Sequence, residues 1–415
     1  MTNFLLTPVG SSGDVYPFIG IGRTLRARGH EVTMVAAEPF RAACERAELR
    51  FVPIHAQAEF DDLTMRPDLW HGHRELRFVL RKLSSLLRAY YDLIASVYEP
   101  GRTVLVAHPL AFAARVFEDA HRAPAATIHL APSIFRPDSQ ESASIPGIDA
   151  LGFPRGVTRI AMWLVDRLRR ETGLPPVSTV FRTWLHSPQC VIGLFPEWFA
   201  PIQPDWPAQV RLTGFPLYDE SDAHAITPDL ESFLNAGTPP ILFTPGTANY
   251  AAAQFFAAAL DATRRLKRRA LFVTRYPEQL PKHLSDQERA EPYVSFSRVF
   301  PRCAASVHHG GIGTSAQALA AGIPQLTMPL AFDQPDNAAR LCRLGVARTL
   351  PPHEFRGDRV ATEVAALIDD HRVAERCRHW ADQVRDTDGL VATCALLEGL
   401  TVGVRRGSDR GQTGV

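Results

Sequence analysis

The stretch from Ser306 to Asn337, SVHHGGIGTSAQALAAGIPQLTMPLAFDQPDN, constrains the fold more than any other part of the chain. It reads as strand, glycine-rich turn, short helix, strand and polar loop. Val307 closes an apolar run, His308 and His309 follow, and Gly310, Gly311 and Gly313 let the backbone turn so that several N–H groups face one anion. Thr314 opens a short helix ended by Gly322, and its positive N-terminal end adds to the same place. The next strand, Ile323 to Leu330, carries Asp333, Gln334 and Asn337 to a loop at its C-terminal end, where open α/β sheets bind ligands. Singly, each signal has a plainer meaning: a GG-x-G turn is often a tight connection, His309 a satisfied core histidine, Asp333 and Gln334 solvated loop residues. Their co-occurrence in one β-α-β unit places diphosphate contacts beside hydroxyl contacts, which suits a sugar nucleotide.

In order and spacing, HHGGIGT, the GIP turn and the DQ pair resemble the donor signature of nucleotide-sugar-dependent glycosyltransferases of the GT-B fold, the large family of sterol, macrolide and plant secondary-metabolite transferases. The resemblance implies an α/β protein of two Rossmann-like domains facing a central cleft. It implies that His309, with the amides of Gly310, Gly311, Gly313 and Thr314, binds the donor diphosphate, and that Asp333 and Gln334 hold the sugar hydroxyls. Gln317 stands where many members grip the ribose with an acidic residue, so the choice between ribose and deoxyribose donors stays open.

The rest of the chain repeats the α/β theme twice. Phe4 to Val9 reads as a buried strand, Gly10 to Gly13 as a loop, Pro17 to Arg28 as a helix and Val32 to Ala36 as the next strand. The glycines there lack G-x-G-x-x-G spacing, which speaks against a dinucleotide. Further strands fall near Thr103 to Ala107, Ala125 to His129 and Cys190 to Phe195. A second β-α-β start follows at Ile241 to Thr244, a helix from Ala251 to Arg264, and Ala270 to Thr274. The expected organisation is an acceptor-binding domain over 1–215, a Gly/Pro-rich linker over 216–239, a donor-binding domain over 240–385, a helix crossing back over 386–402, and a disordered tail over 403–415. Thr247 either supplies a hydroxyl to a phosphate or caps the helix that follows. Val294, in Tyr293-Val294-Ser295-Phe296, lies where the family wraps the nucleobase, with Ser295 in place of the usual proline.

Composition narrows the function classes. A formal net charge of +1 on 415 residues gives no footprint for nucleic acid. The six cysteines are scattered, without C-x-x-C or zinc spacing, and a reduced, cytoplasmic chain fits. The chain starts on a strand rather than a signal peptide, and no run of about eighteen apolar residues predicts a membrane span. Asp61 to Tyr98 reads as an amphipathic helical region. Its basic face is either a solvated surface or a peripheral contact with the inner face of a membrane.

Glycosyl transfer needs a base for the acceptor hydroxyl. Gly13-Asp14-Val15-Tyr16-Pro17 matches the family's Gly-Asp-x-x-Pro loop, which implies that Asp14 is that base; local sequence alone reads Asp14 as a helix N-cap. The family chemistry is inverting, with no metal or other cofactor, the nucleoside diphosphate sugar serving as co-substrate. For the acceptor, the segments Thr183–Gln189, Leu194–Pro207 and Thr213–Leu217 resemble the rhamnosyltransferase subgroup of rhamnolipid biosynthesis. That implies dTDP-L-rhamnose as donor, a hydroxyacyl lipid as acceptor and an acyl-chain synthase as partner. The alternatives are another sugar nucleotide, such as UDP-glucose, used on a sterol, polyketide or phenolic small molecule, and a sugar-nucleotide epimerase of the same fold. Trp184, Trp198, Phe199 and Trp206 read equally as packing residues between the domains.

Overall fold

The computed structural model describes residues 1–54, 74–135, 155–178, 180–222, 224–247, 249 and 251–401, without the side chains of 74–85, 155–160 and 182. The chain divides into two compact units, one drawn from the described parts of Met1–Asp138, Leu151–Pro216 and Asp388–Val415, the other from those of Leu217–Thr387.

The first unit is built on a seven-stranded sheet of β1 (Asn3–Thr7), β2 (Glu31–Ala36), β3 (Arg50–Pro53), β4 (Thr103–Ala107), β5 (Ala125–His129), β6 (Val191–Gly193) and β7 (Val210–Leu212). Its order is β3-β2-β1-β4-β5-β6-β7, and every pairing is parallel. Helices cover both faces of such a sheet, so its central strands need no polar side. β1, β4 and β5 are accordingly buried at every residue. The helix Arg74–Val97 packs Leu87, Tyr90, Tyr91 and Ile94 into a core shared with Phe112, Phe117, Leu164 and Trp184. Its described end is thus core-packed, and Arg88 pairs outward with Asp92; Asp61–His73 lies outside the described residues. The large aromatics pack within this unit: Trp184 donates its Nε1 proton to Asp119 at 2.8 Å, Trp206 stacks on Phe135 at 4.3 Å, and Trp198 and Phe199 meet Phe215.

The second unit repeats the plan with β8 (Ile241–Thr244), β9 (Ala270–Val273), β10 (Glu288–Glu291), β11 (Ala305–His308), β12 (Gln325–Thr327) and β13 (Ala347–Thr349), in the order β10-β9-β8-β11-β12-β13, again all parallel. Both halves therefore have the Rossmann strand order.

The stretch expected to be a linker is folded. It carries the helix Pro228–Asn235, capped by Thr227, and buries Leu230, Phe233 and Leu234 in the core of the second unit. Its Gly, Pro and Asp residues mark the ends of that helix. The helical region past Asp370 is two helices, His371–Arg385 and Gly389–Gly399, broken where Asp388 caps the second. The helix Gly389–Gly399 belongs to the first unit: Thr393 hydrogen-bonds Thr213, and Glu398 receives Arg28 and His30. The tail 403–415 lies outside the described residues. No helix among the described residues is long and apolar enough to cross a membrane.

Candidate active site

In the second unit the turn after β11 is braced by two side chains. His308 is fully buried, and its Nδ1 accepts the Gly310 N–H at 3.0 Å. That bond places its proton on Nε2, 2.9 Å from the Gln325 side-chain oxygen. Burial holds this imidazole at about 4, so it is a neutral strut at ordinary pH. Asn337 donates to the Gly310 carbonyl at 3.0 Å and to Asp333 Oδ2 at 2.6 Å, tying the glycine turn to the DQ loop.

His309 lies between two backbones that only glycine allows. A Cβ on Gly246, whose φ is +94°, would stand 2.8 Å from its Cε1, and one on Gly311 would stand 2.4 Å from its Nε2. Burial lowers its pKa to about 3, so the ring is neutral, and its buried Nδ1 has no hydrogen-bond partner among the described residues. Leaving such an atom unpaired costs about 1 to 3 kcal/mol unless a ligand satisfies it. The helix Ile312–Ala321 starts here with Gly311 as its N-cap, ahead of Thr314, and ends on Gly322 at φ +70°. A methyl group on Gly313 would meet nothing within 4 Å among the described residues, so the helix is open at this position of its first turn. Gln317 faces inward on the same helix and is buried.

Asp333 caps the helix Gln334–Leu344 by position. Burial raises its carboxyl to about 6, opposed by the Asn337 amide and the N–H groups of Asp333 and Ile312. Gln334 spends its side-chain oxygen on the N–H groups of Leu330 and Ala331, at 2.8 and 3.1 Å, and only its amide nitrogen is left to meet a hydroxyl.

Two predicted positions sit differently from their simplest reading. Thr247 is exposed and is no N-cap, because the helix after β8 begins at Ala253, with Ala252 in the cap position. Val294 is buried in the core, so only its backbone is available to a ligand. Its neighbour Ser295 replaces proline for a visible reason: the carboxylate of Asp219 accepts the Ser295 hydroxyl at 2.8 Å and the Ser297 N–H at 2.7 Å.

In the first unit, Asp14 lies inside a helix rather than before it. Ser12–Ala27 begins well ahead of Pro17, with Ser11 as N-cap. Asp14 Oδ2 accepts the Ser11 N–H at 2.7 Å and its hydroxyl at 3.1 Å, the return half of a capping box. Pro17 sits early enough in the helix that its missing N–H costs one bond, to the Gly13 carbonyl. Gly10, at φ +136°, wraps the carboxylate so closely that a Cβ would overlap Asp14 Oδ2 at 2.2 Å. The other carboxylate oxygen faces His108 Nε2 at 3.8 Å. His108 follows β4, and its N–H bonds Thr7 on the neighbouring β1. Its Nδ1 accepts the Leu110 N–H at 3.2 Å, so Nε2 carries the proton turned toward Asp14. Burial lowers the His108 pKa to about 3. Asp14 thus has one oxygen fixed by a cap and the other beside a neutral donor. The signal for His108 was present in the sequence, a histidine at the end of an apolar strand, in the pattern that singled out His309.

Residues 4–134 match the glycosyltransferase family 28 N-terminal domain, and residues 272–388 match the C-terminal domain of erythromycin biosynthesis protein CIII-like proteins. The O-mycaminosyltylonolide 6-deoxyallosyltransferase of Streptomyces fradiae is 30% identical over 413 residues, covering 95% of this chain and 96% of that protein. The chain belongs to this glycosyltransferase family. The vancomycin aglycone glucosyltransferase of Amycolatopsis orientalis is 27% identical over 408 residues, covering 95% and 96%. In three dimensions the glycosyltransferase resembles the glycotransferase of kitacinnamycin, with a TM-score of 0.75 at 20% identity over 96% of this chain and 99% of that one. It also resembles the spinosyn rhamnosyltransferase SpnG, with a TM-score of 0.71 at 19% identity over 96% and 100%. The fold is that of GT-B glycosyltransferases, and the enzyme transfers sugar.

Proposed function

We propose that this glycosyltransferase moves a 6-deoxyhexose, with L-rhamnose the first candidate, from a thymidine diphosphate sugar to a hydroxyl of a polyketide-type small molecule, with inversion and without a metal. The observation that carries the donor site is the unpaired Nδ1 of His309 beside an open helix N-terminus, joined through Asn337 to the Asp333 carboxylate. Diphosphate would meet His309 and the Gly313 and Thr314 amides; sugar hydroxyls would meet Asp333 and the Gln334 amide nitrogen. For the sugar and acceptor, support comes from relatives: the Streptomyces fradiae enzyme is a 6-deoxyallosyltransferase, and SpnG has been solved with thymidine diphosphate and with spinosyn aglycone. These favour the polyketide alternative over the hydroxyacyl lipid, and such an acceptor calls for no acyl-chain synthase.

In this reading the acceptor oxygen attacks the anomeric carbon as the bond from that carbon to the diphosphate oxygen breaks. The hydroxyl proton passes to Asp14, and the charge on the leaving diphosphate is held by the helix end and its amides. His108, 3.8 Å from Asp14 Oδ1, acts as a positioning residue for that carboxylate.

Acceptor choice is tested by incubating the enzyme with dTDP-L-rhamnose and either a macrolide aglycone or a hydroxyalkanoyloxyalkanoate, with mass detection of product. Rhamnosylated macrolide is expected. Product from the lipid alone would restore the rhamnolipid assignment.

Two further outcomes follow from the donor geometry. Gly313→Ala should leave the fold intact, since alanine is the better helix former by about 1 kcal/mol and the methyl meets no neighbour. It should nonetheless weaken thymidine diphosphate binding about tenfold, read by titration calorimetry, because that space is where the phosphate sits. Acidification should separate stability from binding at Asp333. Its folded pKa of about 6 lies above the usual carboxyl value, so the free protein gains stability from this group as pH falls from about 6 toward 4. A carboxylate accepting sugar hydroxyls must be ionised, so affinity for the sugar part of the donor should fall across the same window. Affinity for thymidine diphosphate itself should fall much less.

A further inference from the structure

Asn337 is fully buried, and its one amide nitrogen serves two acceptors from different segments of the donor site. It donates to the Gly310 carbonyl at 3.0 Å and to Asp333 Oδ2 at 2.6 Å, the second as short as expected of a hydrogen bond to a charged acceptor. Position explains the reach. Asp333 stands at the N-cap of the helix Gln334–Leu344, and Asn337 lies one turn further on the same face, with its N–H bonded to the Asp333 carbonyl at 3.0 Å. Because both side-chain partners are acceptors, the amide can meet them only with its nitrogen. Its Oδ1 is left buried without a hydrogen-bond partner among the described residues.

The surroundings of Asp333 give that amide its weight. Asp333 is only partly buried, and no basic side chain among the described residues pairs with it. On its own helix the neighbouring charge is Asp336, paired with Arg340 at 2.8 Å, and this second carboxylate disfavours ionisation of Asp333. The helix Ile312–Ala321, which packs against it, contains no ionisable side chain and offers the Ile312 N–H. The glycine turn contributes His309, which is neutral. Among the described residues, Asn337 is thus the side chain that donates to this carboxylate.

We infer that Asn337 is the positioning residue of the sugar half of the donor site: its amide steadies the Asp333 carboxylate as an acceptor of sugar hydroxyls and anchors it to the turn that receives the diphosphate. This rests on the donor site proposed above. Hydrogen bonding to the ionised form of a carboxyl favours that form, so loss of the Asn337 donor makes Asp333 take its proton at a higher pH. The diphosphate contacts need Asn337 less, because the Gly310 N–H is held independently by His308 Nδ1 at 3.0 Å.

The test is the affinity of wild type, Asn337→Ala and the isosteric Asn337→Asp for thymidine diphosphate and dTDP-L-rhamnose, by titration calorimetry from pH 5 to 9. In wild type the affinity added by the sugar should fall on acidification through a midpoint near 6. Asn337→Ala should cut that added affinity about 10- to 100-fold at neutral pH, the usual effect of losing a hydrogen bond to a charged group. Its midpoint should rise by about one pH unit, while thymidine diphosphate binding changes much less. Asn337→Asp keeps the shape but sets a second carboxylate against Asp333, so its midpoint should lie higher still. A role in packing alone predicts the reverse order, with alanine the more harmful, both ligands weakened alike and the midpoint unmoved. If Asn337→Ala does not fold, the midpoint of Asn337→Asp decides. An unmoved midpoint, or equal loss of both ligands, overturns this inference while the donor site stands. Wild type that binds neither ligand, or binds both equally at every pH, takes down the donor site and the inference with it.

Discussion

Asp14→Asn is expected to lower kcat by about 100- to 10,000-fold, the range for loss of a general base, equivalent to roughly 3 to 5 kcal/mol of activation free energy. The substitution isolates basicity from structure. An asparagine side-chain oxygen at this third helical position can still accept the Ser11 N–H that Asp14 Oδ2 now receives, keeping the return half of the capping box. Thermal unfolding should therefore move by no more than a degree or two, and dTDP-sugar affinity should not change. Gly10→Ala would reach the same end by another route, since its methyl would overlap the carboxylate and displace it. It would also force alanine to φ +136°, so it should lower stability and activity together. Asp14→Asn, with stability kept and kcat lost, is the cleaner measurement. If Asp14→Asn retained more than a tenth of wild-type kcat, Asp14 would serve only to close the capping box with Ser11.

His309→Ala is expected to cost about 3 to 4 kcal/mol of transition-state stabilisation, or about 100- to 1,000-fold in kcat, by analogy with the loss of a single donor to a developing oxyanion. The neutral ring makes this a hydrogen-bond effect rather than a loss of charge: burial holds its pKa at about 3, so the contact should persist unchanged from pH 6 to 9. The fold should tolerate the change well. His309 Nδ1 has no hydrogen-bond partner among the described residues, so truncation leaves none of them orphaned at that atom, although it opens a space between Gly246 and Gly311. His308→Ala should behave in the opposite way. It removes the acceptor of the Gly310 N–H and the partner of Gln325, and its effect should fall on stability before catalysis. Comparing unfolding temperature with kcat for the two adjacent histidines separates the strut from the ligand contact.

The central strands of both sheets were legible in the sequence because parallel strands covered on both faces must be apolar throughout, as in Phe4-Leu5-Leu6 and Ile241-Leu242-Phe243. The four strands that the sequence does not announce, β3, β7, β10 and β13, are the four sheet edges. An edge strand has one neighbour and more water, so it can be short and charged. β10 is Glu288-Arg289-Ala290-Glu291, whose charges are spent on Arg264 and on each other, and it carries no strand pattern to read. The donor turn was legible because glycines, histidine and the DQ pair lie within one β-α-β unit. What escaped were the side chains that act across it. The strut role of His308 depends on Gln325, and Asn337 matters because it reaches back to Gly310, contacts that spacing along the chain does not encode. Asp14 is found by resemblance, yet sequence reasoning starts its helix too late, because Pro17 reads as a beginning when it is in fact carried inside the second turn. His108 was missed because its partner lies in a helix nearly a hundred residues earlier.

The decisive measurement is release of thymidine diphosphate from dTDP-L-rhamnose, followed with and without a macrolide aglycone, with the anomeric configuration of any product assigned by NMR. Acceptor-dependent release, a product of inverted configuration and near-complete loss in Asp14→Asn are the predicted results. Release without acceptor, accompanied by a changed free sugar, would contradict transfer and point to the epimerase reading; a product of retained configuration would contradict direct attack with Asp14 as the base.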